Sequence, residues 1–209
     1  MRTLERGERG SLSGGIKQVI LSDLDRDLGV TLIRIGNFQT EILLFTDGNV
    51  RESFLMPWGM DHLSDGLSKA LKLPRVAGEE LLTQVRTLEA ASSNSAVPLR
   101  VKAGSLDRNF PQEQVVHWLG SRVKDFLGRV HRRLDESSYF QESAAGIVMM
   151  GDLVRLEGFL EMAEGLLNMP VRLGVSREVE SDSQISLSPS HATVIGLLRY
   201  SLKSRHSAN

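Results

Sequence analysis

Residues 28–71 read LGVTLIRIGNFQTEILLFTDGNVRESFLMPWGMDHLSDGLSKAL, and this stretch decides the fold. Residues 30–36 alternate, with Thr31, Ile33 and Ile35 on one face and Val30, Leu32 and Arg34 on the other. That period of two is the signature of a strand. Residues 39–45 end in the apolar run ILLF, as a strand buried on both faces does. Asp47-Gly48 supplies a hairpin turn, because glycine accepts the positive φ such turns need. Residues 49–56 form a third strand, stopped by Pro57-Trp58-Gly59, and helical spacing follows through Leu63, Leu67, Ala70 and Leu71. The local reading is an antiparallel meander that feeds a helix.

Beyond it, Pro74 interrupts the helical pattern, and a second helix is predicted over 76–91 through Val76, Leu81, Leu82, Val85 and Leu88. Residues 91–112 are rich in Ser, Gly and Pro, with one short alternation at Leu99 and Val101. They read as a surface excursion with at most one short strand. The longest helix is expected over 112–135, behind Pro111, with Val115, Val116, Leu119, Val123, Phe126, Leu127, Val130 and Leu134 as one apolar stripe. Arg122, Lys124, Arg129, Arg132 and Arg133 fall mostly off that stripe, on a solvated face. Residues 146–150 (GIVMM) read as a central parallel strand. A helix over 155–167 is expected to turn Leu156, Phe159, Leu160, Ala163, Leu166 and Leu167 inward, before a short strand over 170–173 and a polar loop over 174–187. Ser188-Pro189 pairs an N-cap with proline at the first helical position and opens a helix to about residue 202.

The order β-β-β-α-(insertion)-α-β-α-β-α is that of an α/β, ribonuclease H-like fold. A five-stranded mixed sheet is expected, with helices on both faces and a small inserted subdomain. The expected divisions are a flexible leader over 1–19, the two halves of the main domain over 20–73 and 112–203, the insertion over 74–111, and a tail over 204–209. The leader is expected to be flexible because Gly, Ser and charge dominate it.

Bulk composition narrows the function classes. The 209 residues contain 41% hydrophobic and 24% charged side chains, enough apolar material for a core. A net charge of −1 gives no electrostatic reason to expect a nucleic-acid partner. There is no cysteine, which rules out disulfides, thiolate metal sites and a cysteine nucleophile and suits a reducing, cytoplasmic setting. No apolar run reaches the roughly 20 residues of a membrane span, so no direct membrane insertion by this chain is expected.

The opening stretch also resembles the second lobe of FtsA, the actin-like bacterial cell-division family. That family carries LGV-x-L-x-DIGGGTTD, a strand, and a glycine turn into a helix. Residues 121–139 (SRVKDFLGRVHRRLDESSY) are similar to its long helix, and 145–158 (AGIVMMGDLVRLEG) to its AGIVLTGGGAxLxG. Residues 169–175 (MPVRLGV) resemble LPVRIGV, and 190–200 (SHATVIGLLRY) resemble YATAVGLLLY. The matching segments run in the family's order from about residue 20 to 202. No counterpart of the family's first lobe or of its C-terminal membrane-targeting helix is expected in these residues. The sequence is compatible with an excised lobe and with a shortened relative. The pilus-assembly protein PilM has a similar lobe but fits 169–200 less well.

The resemblance implies a nucleotide site, and the residues there depart from the pattern. In actin-type folds a glycine-rich hairpin offers backbone N–H groups to phosphate, and an aspartate at its base helps place hydrated magnesium. The octet here is Arg34-Ile35-Gly36-Asn37-Phe38-Gln39-Thr40-Glu41. Arg34 replaces the aspartate, Asn37 and Phe38 replace glycines, and Glu41 replaces the final aspartate, while Gly36 and Thr40 match. Arg34 is expected to pair with Glu41 or with a partner lobe. At the adenosine motif Gly151 survives, but Asp152, Leu153 and Val154 follow it. Where the family has a glutamate and, three residues on, a lysine near the ribose, this chain has Glu79 and Leu82. The remnants of the site are thus Gly36, Asn37, Thr40, Glu41, Glu79 and Gly151. No cofactor is expected, with ATP and magnesium entering only if the degraded site still functions.

Other chemistries find less support. A ribonuclease H-type nuclease needs a metal-binding acid on the first strand, where Arg34 stands. The five histidines, His62, His117, His131, His191 and His206, lack metal-ligand spacing, and no serine sits in a G-x-S-x-G turn. Trp58 and Trp118 read as core or interface aromatics.

A non-catalytic interaction lobe is therefore expected, with an ATP-binding half-site and a PilM-like adaptor as alternatives. The partners implied are an FtsZ-like tail or another division protein, together with self-association and recruitment to the division site. Arg75, Arg86, Arg100, Lys102 and Arg108 are the candidate contacts for an acidic peptide.

Overall fold

The computed structural model describes residues 20–89, 98–103 and 106–175. Helix α1 (Asp23–Leu28) is closed at its start by a reciprocal capping pair, in which Ser22 accepts from the Asp25 N–H and Asp25 from the Ser22 N–H. The meander follows as β1 (Val30–Ile35), β2 (Thr40–Thr46) and β3 (Asn49–Met56). Helices α2 (Met60–Leu71) and α3 (Arg75–Gln84) lead into a hairpin of β4 (Leu99–Ala103) and β5 (Leu106–Phe110). The long α4 (Gln112–Asp135), β6 (Ile147–Met150), α5 (Phe159–Leu167) and β7 (Val171–Leu173) complete the described elements.

The main sheet has the order β3-β2-β1-β6-β7. β1 and β3 each run antiparallel to β2, whereas β6 lies parallel to β1 and β7 parallel to β6. Five strands in a mixed sheet, with the first three antiparallel, is the expected architecture. Alternation along the strands builds two cores. Ile33, Ile35, Ile42, Leu44, Ile147 and Met149 join the larger one with the helices, and Val30, Leu32, Leu43, Phe45, Val148 and Met150 face Ile20 and Leu21. All eight stripe residues of α4 are buried, and Phe126 stacks on Trp58 with ring centroids 3.8 Å apart at 10°. Such a stack adds about 1 kcal/mol to the burial of the two rings.

Three local expectations change. The helix predicted over 76–91 stops at Gln84, because the chain then turns extended and pairs with a distant segment. Leu88 N–H donates to Glu157 O at 2.8 Å, and Glu157 N–H donates to Arg86 O at 3.0 Å. Val85 and Leu88 are buried as the helical spacing requires, so burial alone mimicked a helix, whereas Val76 is 67% exposed in its first turn. The excursion over 91–112 contains two paired strands instead of one, since Leu99, Val101 and Phe110 need a common hairpin to reach the core. The helix expected from 155 begins at Phe159, after a 3-10 turn (Asp152–Arg155) and Gly158 at φ 82°, and its Leu166 is partly exposed instead of inward. The expected leader, tail, most of the 174–187 loop and the 188–202 helix with His191 lie outside the described residues.

Candidate functional site

The β1–β2 turn, the start of α2, helix α3 and the segment after β6 meet around one cleft of about 860 Å³. Ligand pockets span roughly 300–1,000 Å³. The turn is anchored at the mouth of α2. Gly36 N–H donates to Gln39 O at 3.0 Å, while Gly36 O accepts from Met60 N–H at 3.1 Å and Asn37 O from Asp61 N–H at 2.9 Å. Two of the donors that a helix start leaves unpaired are satisfied in this way. Gly59 makes the approach possible, since a Cβ there would lie 2.3 Å from Gly36 O. Thr40 is fully buried and donates its hydroxyl to Trp58 O at 2.8 Å, fixing the strand behind the turn.

Across the cleft, Gly151 leaves β6 with φ 127°, and a Cβ on it would lie 2.3 Å from Ile35 O. Its lack of a side chain thus serves the contact between the ends of β1 and β6. The 3-10 turn places Asp152, Leu153 and Arg155 in the wall, and α3 contributes Arg75, Glu79, Leu82 and Thr83. Phe38, 73% exposed at the tip of the turn, lines the same space. Leu63, Val85, Leu119 and Leu156 add apolar surface to a lining that also carries polar and charged side chains.

Part of the charge in the cleft is spent within the chain. Arg75 lies 2.9 Å from Glu79, 2.7 Å from Asp61 and 3.4 Å from Asp65. The hydrogen bond that Arg75 donates to Glu79, then the one it donates to Asp61 and the charge of Asp65, push the guanidinium further above its ordinary range. Arg34 reaches Glu41 at 3.1 Å, as expected. Arg86 donates to Thr83 O at 2.9 Å.

The structure therefore gathers Asn37, Glu79, Arg75 and Arg86 at the cleft, together with the substituted positions Phe38, Leu82 and Asp152. Gly36, Thr40, Glu41 and Gly151 are not among the residues that line it. Arg100, Lys102 and Arg108 sit on the β4–β5 hairpin, with Arg100 held bidentately by Asp107 at 2.9 and 2.6 Å and Arg108 over the Phe110 ring. Sequence reading missed Asp61 and Arg155 as cleft residues. The 3-10 turn carries no period that would have pointed to Arg155, whereas the proximity of Asp61 to the glycine turn was a usable signal. Among the described residues no cluster of three or more metal-ligating side chains occurs, and no helix is long and apolar enough to cross a membrane.

A meander joined to parallel strands, with a cleft where the first hairpin meets the strand after the long helix, defines one lobe of an actin-type fold. In agreement, MreB5 of Spiroplasma citri bound to ADP superposes with a TM-score of 0.71 over 96% of this chain and 60% of that one, at 11% identity. The family model for cell division protein FtsA matches residues 31–196, and the chain belongs to that family. It is 30% identical to the FtsA of Pseudomonas aeruginosa over 88% of this chain and 45% of the relative. With the FtsA of Neisseria meningitidis the identity is 28%, over 89% of this chain and 46% of the relative. The chain thus spans less than half the length of these curated relatives.

Proposed function

We propose that this lobe acts in bacterial cell division as a non-catalytic protein-interaction module, brought to the division site through its partners. The observation that carries the reading is the composition of the cleft. Phe38 and Leu82 offer hydrocarbon where phosphate and ribose contacts are needed, and Asp152 sets a carboxylate beside them. Arg34 and Glu41 neutralise each other, so the hairpin carries no free carboxylate that calls for magnesium. Function then lies with surfaces, since one fold serves many tasks.

The interaction surface is assigned to residues 74–110 and its ligand to an acidic peptide of the FtsZ-tail kind. With Arg75 and Arg100 held by carboxylates of their own chain and Arg86 lining the cleft, Lys102 and Arg108 carry the attraction. Charge reversal at Lys102 and Arg108 is expected to weaken binding of an FtsZ-tail peptide at low salt and leave the melting temperature unchanged. Unaltered binding, or none by the parent chain, would count against the division reading.

A second reading, an ATP half-site completed by another lobe, is favoured by the persistence of a cleft at this place and by Glu79 on its wall. Calorimetric titration with Mg-ATP, alone and with a candidate first lobe, separates the two.

A further inference from the structure

Among the described residues, the cleft holds two guanidinium groups that are not used up by carboxylates. Arg86 and Arg155 both line it, and neither forms an ion pair among the described residues. They belong to one wall. The backbone bond from Glu157 N–H to Arg86 O (3.0 Å) and the parallel bridge between Thr87 and Glu157 lock their segments side by side. Arg86 is further pinned to Thr83 O at 2.9 Å. Leu63, Leu82, Leu119 and Leu153 provide apolar surface between this wall and Phe38 at the rim.

We infer that the cleft is a second partner-binding site, separate from the β4–β5 hairpin, and that it takes an extended segment of another protein in which carboxylates flank a bulky aliphatic side chain. Guanidinium groups suit carboxylates, and Arg86 and Arg155 offer two of them on neighbouring segments. The aliphatic residue covers the leucines and Phe38, removing apolar surface from water. The local charge balance argues for this ligand over a polyphosphate. Arg75 is consumed by three carboxylates, and two guanidiniums match two carboxylates better than they match a triphosphate beside Asp152. The inference rests on the reading that the cleft has been released from nucleotide.

The test is fluorescence anisotropy of the whole chain with a fluorescein-labelled hexapeptide alternating glutamate and leucine, and with its lysine–leucine counterpart. The acidic probe is expected to bind at least tenfold more tightly than the basic one. Arg86→Glu with Arg155→Glu is expected to weaken it tenfold or more, whereas Lys102→Glu with Arg108→Glu leaves it unchanged. Arg155→Gln, a neutral change at an exposed position, is expected to weaken it severalfold and keeps the test valid if the double reversal misfolds. No binding of the acidic probe, equal binding of the basic probe, or sensitivity to the hairpin variant alone overturns the inference and leaves the interaction-lobe reading standing. Displacement of the probe by micromolar Mg-ATP overturns that reading as well.

Discussion

Arg34 and Glu41 face each other across the β1–β2 hairpin as a register pair, with Arg34 Nε 3.1 Å from Glu41 Oε2. These are the two ends of the octet that carries an aspartate at both ends in the FtsA pattern. Two opposed carboxylates repel unless a cation sits between them, whereas an arginine and a glutamate neutralise each other without one. The hairpin is thereby self-contained.

Both side chains are at most a quarter exposed, so the pair is screened less than a surface bridge. Arg34→Asp is expected to cost about 2 kcal/mol, from the lost pair and a new like-charge contact. The exchange Arg34→Glu with Glu41→Arg is expected to recover most of it. Urea denaturation measures the cycle, and equal stability of all variants would show that the pair contributes nothing.

Mg-ATP is expected to bind the chain no more tightly than about 1 mM, roughly −4 kcal/mol. Arg34→Asp combined with Phe38→Gly is expected to tighten it, provided circular dichroism shows an intact fold. Isothermal titration calorimetry decides, and micromolar affinity for the parent chain refutes the degraded-site reading.

Gly151→Ala is expected to destabilise by at least about 2 kcal/mol, through an unfavourable φ and a clash with backbone. A Cβ 2.3 Å from Ile35 O cannot be relieved by a side-chain rotation. The denaturation midpoint is expected to fall with little change in slope. A neutral outcome would mean that the β1–β6 contact yields easily.

Asp25 gives a pH dependence. Desolvation pushes its carboxyl up, but the hydrogen bonds of Ser22 and the charge of Arg172, 2.8 Å away, together hold it below the ordinary value. A depressed folded pKa gives stability that is present above the unfolded value, about 3.9, and is lost as pH falls through the folded one. Arg172→Ala is therefore expected to lower stability at neutral pH and to reduce its loss on acidification from about pH 4 downward. Thermal melts across that range check it, and parallel curves for the two proteins would exclude the linkage.

Much of the site was legible because its segments are short and ordered along the chain. The octet from Arg34 to Glu41, the position of Leu82 and the run after Gly151 are read directly from residue type. Less legible was what each surviving residue does. Thr40 and Gly151 match the family by identity, yet one bonds the Trp58 carbonyl and the other makes room for Ile35 O. Arg75 carries a positive charge in any sequence reading, but only its position between Asp61, Asp65 and Glu79 shows that the charge is spent.

The sequence by itself determined the order and type of the main elements. Alternation in β1, the turn at Asp47-Gly48 and the stripe of α4 are local patterns whose burial admits one period each. Tertiary structure decided where α3 ends, that β4 and β5 pair, and which side chains share the cleft. Those outcomes depend on backbone partners far along the chain, such as Glu157 for the segment after Gln84. A buried Val85 or Leu88 satisfies a helix and an extended bridge equally well, so the hydrogen-bond partner, absent from any local pattern, settles the conformation.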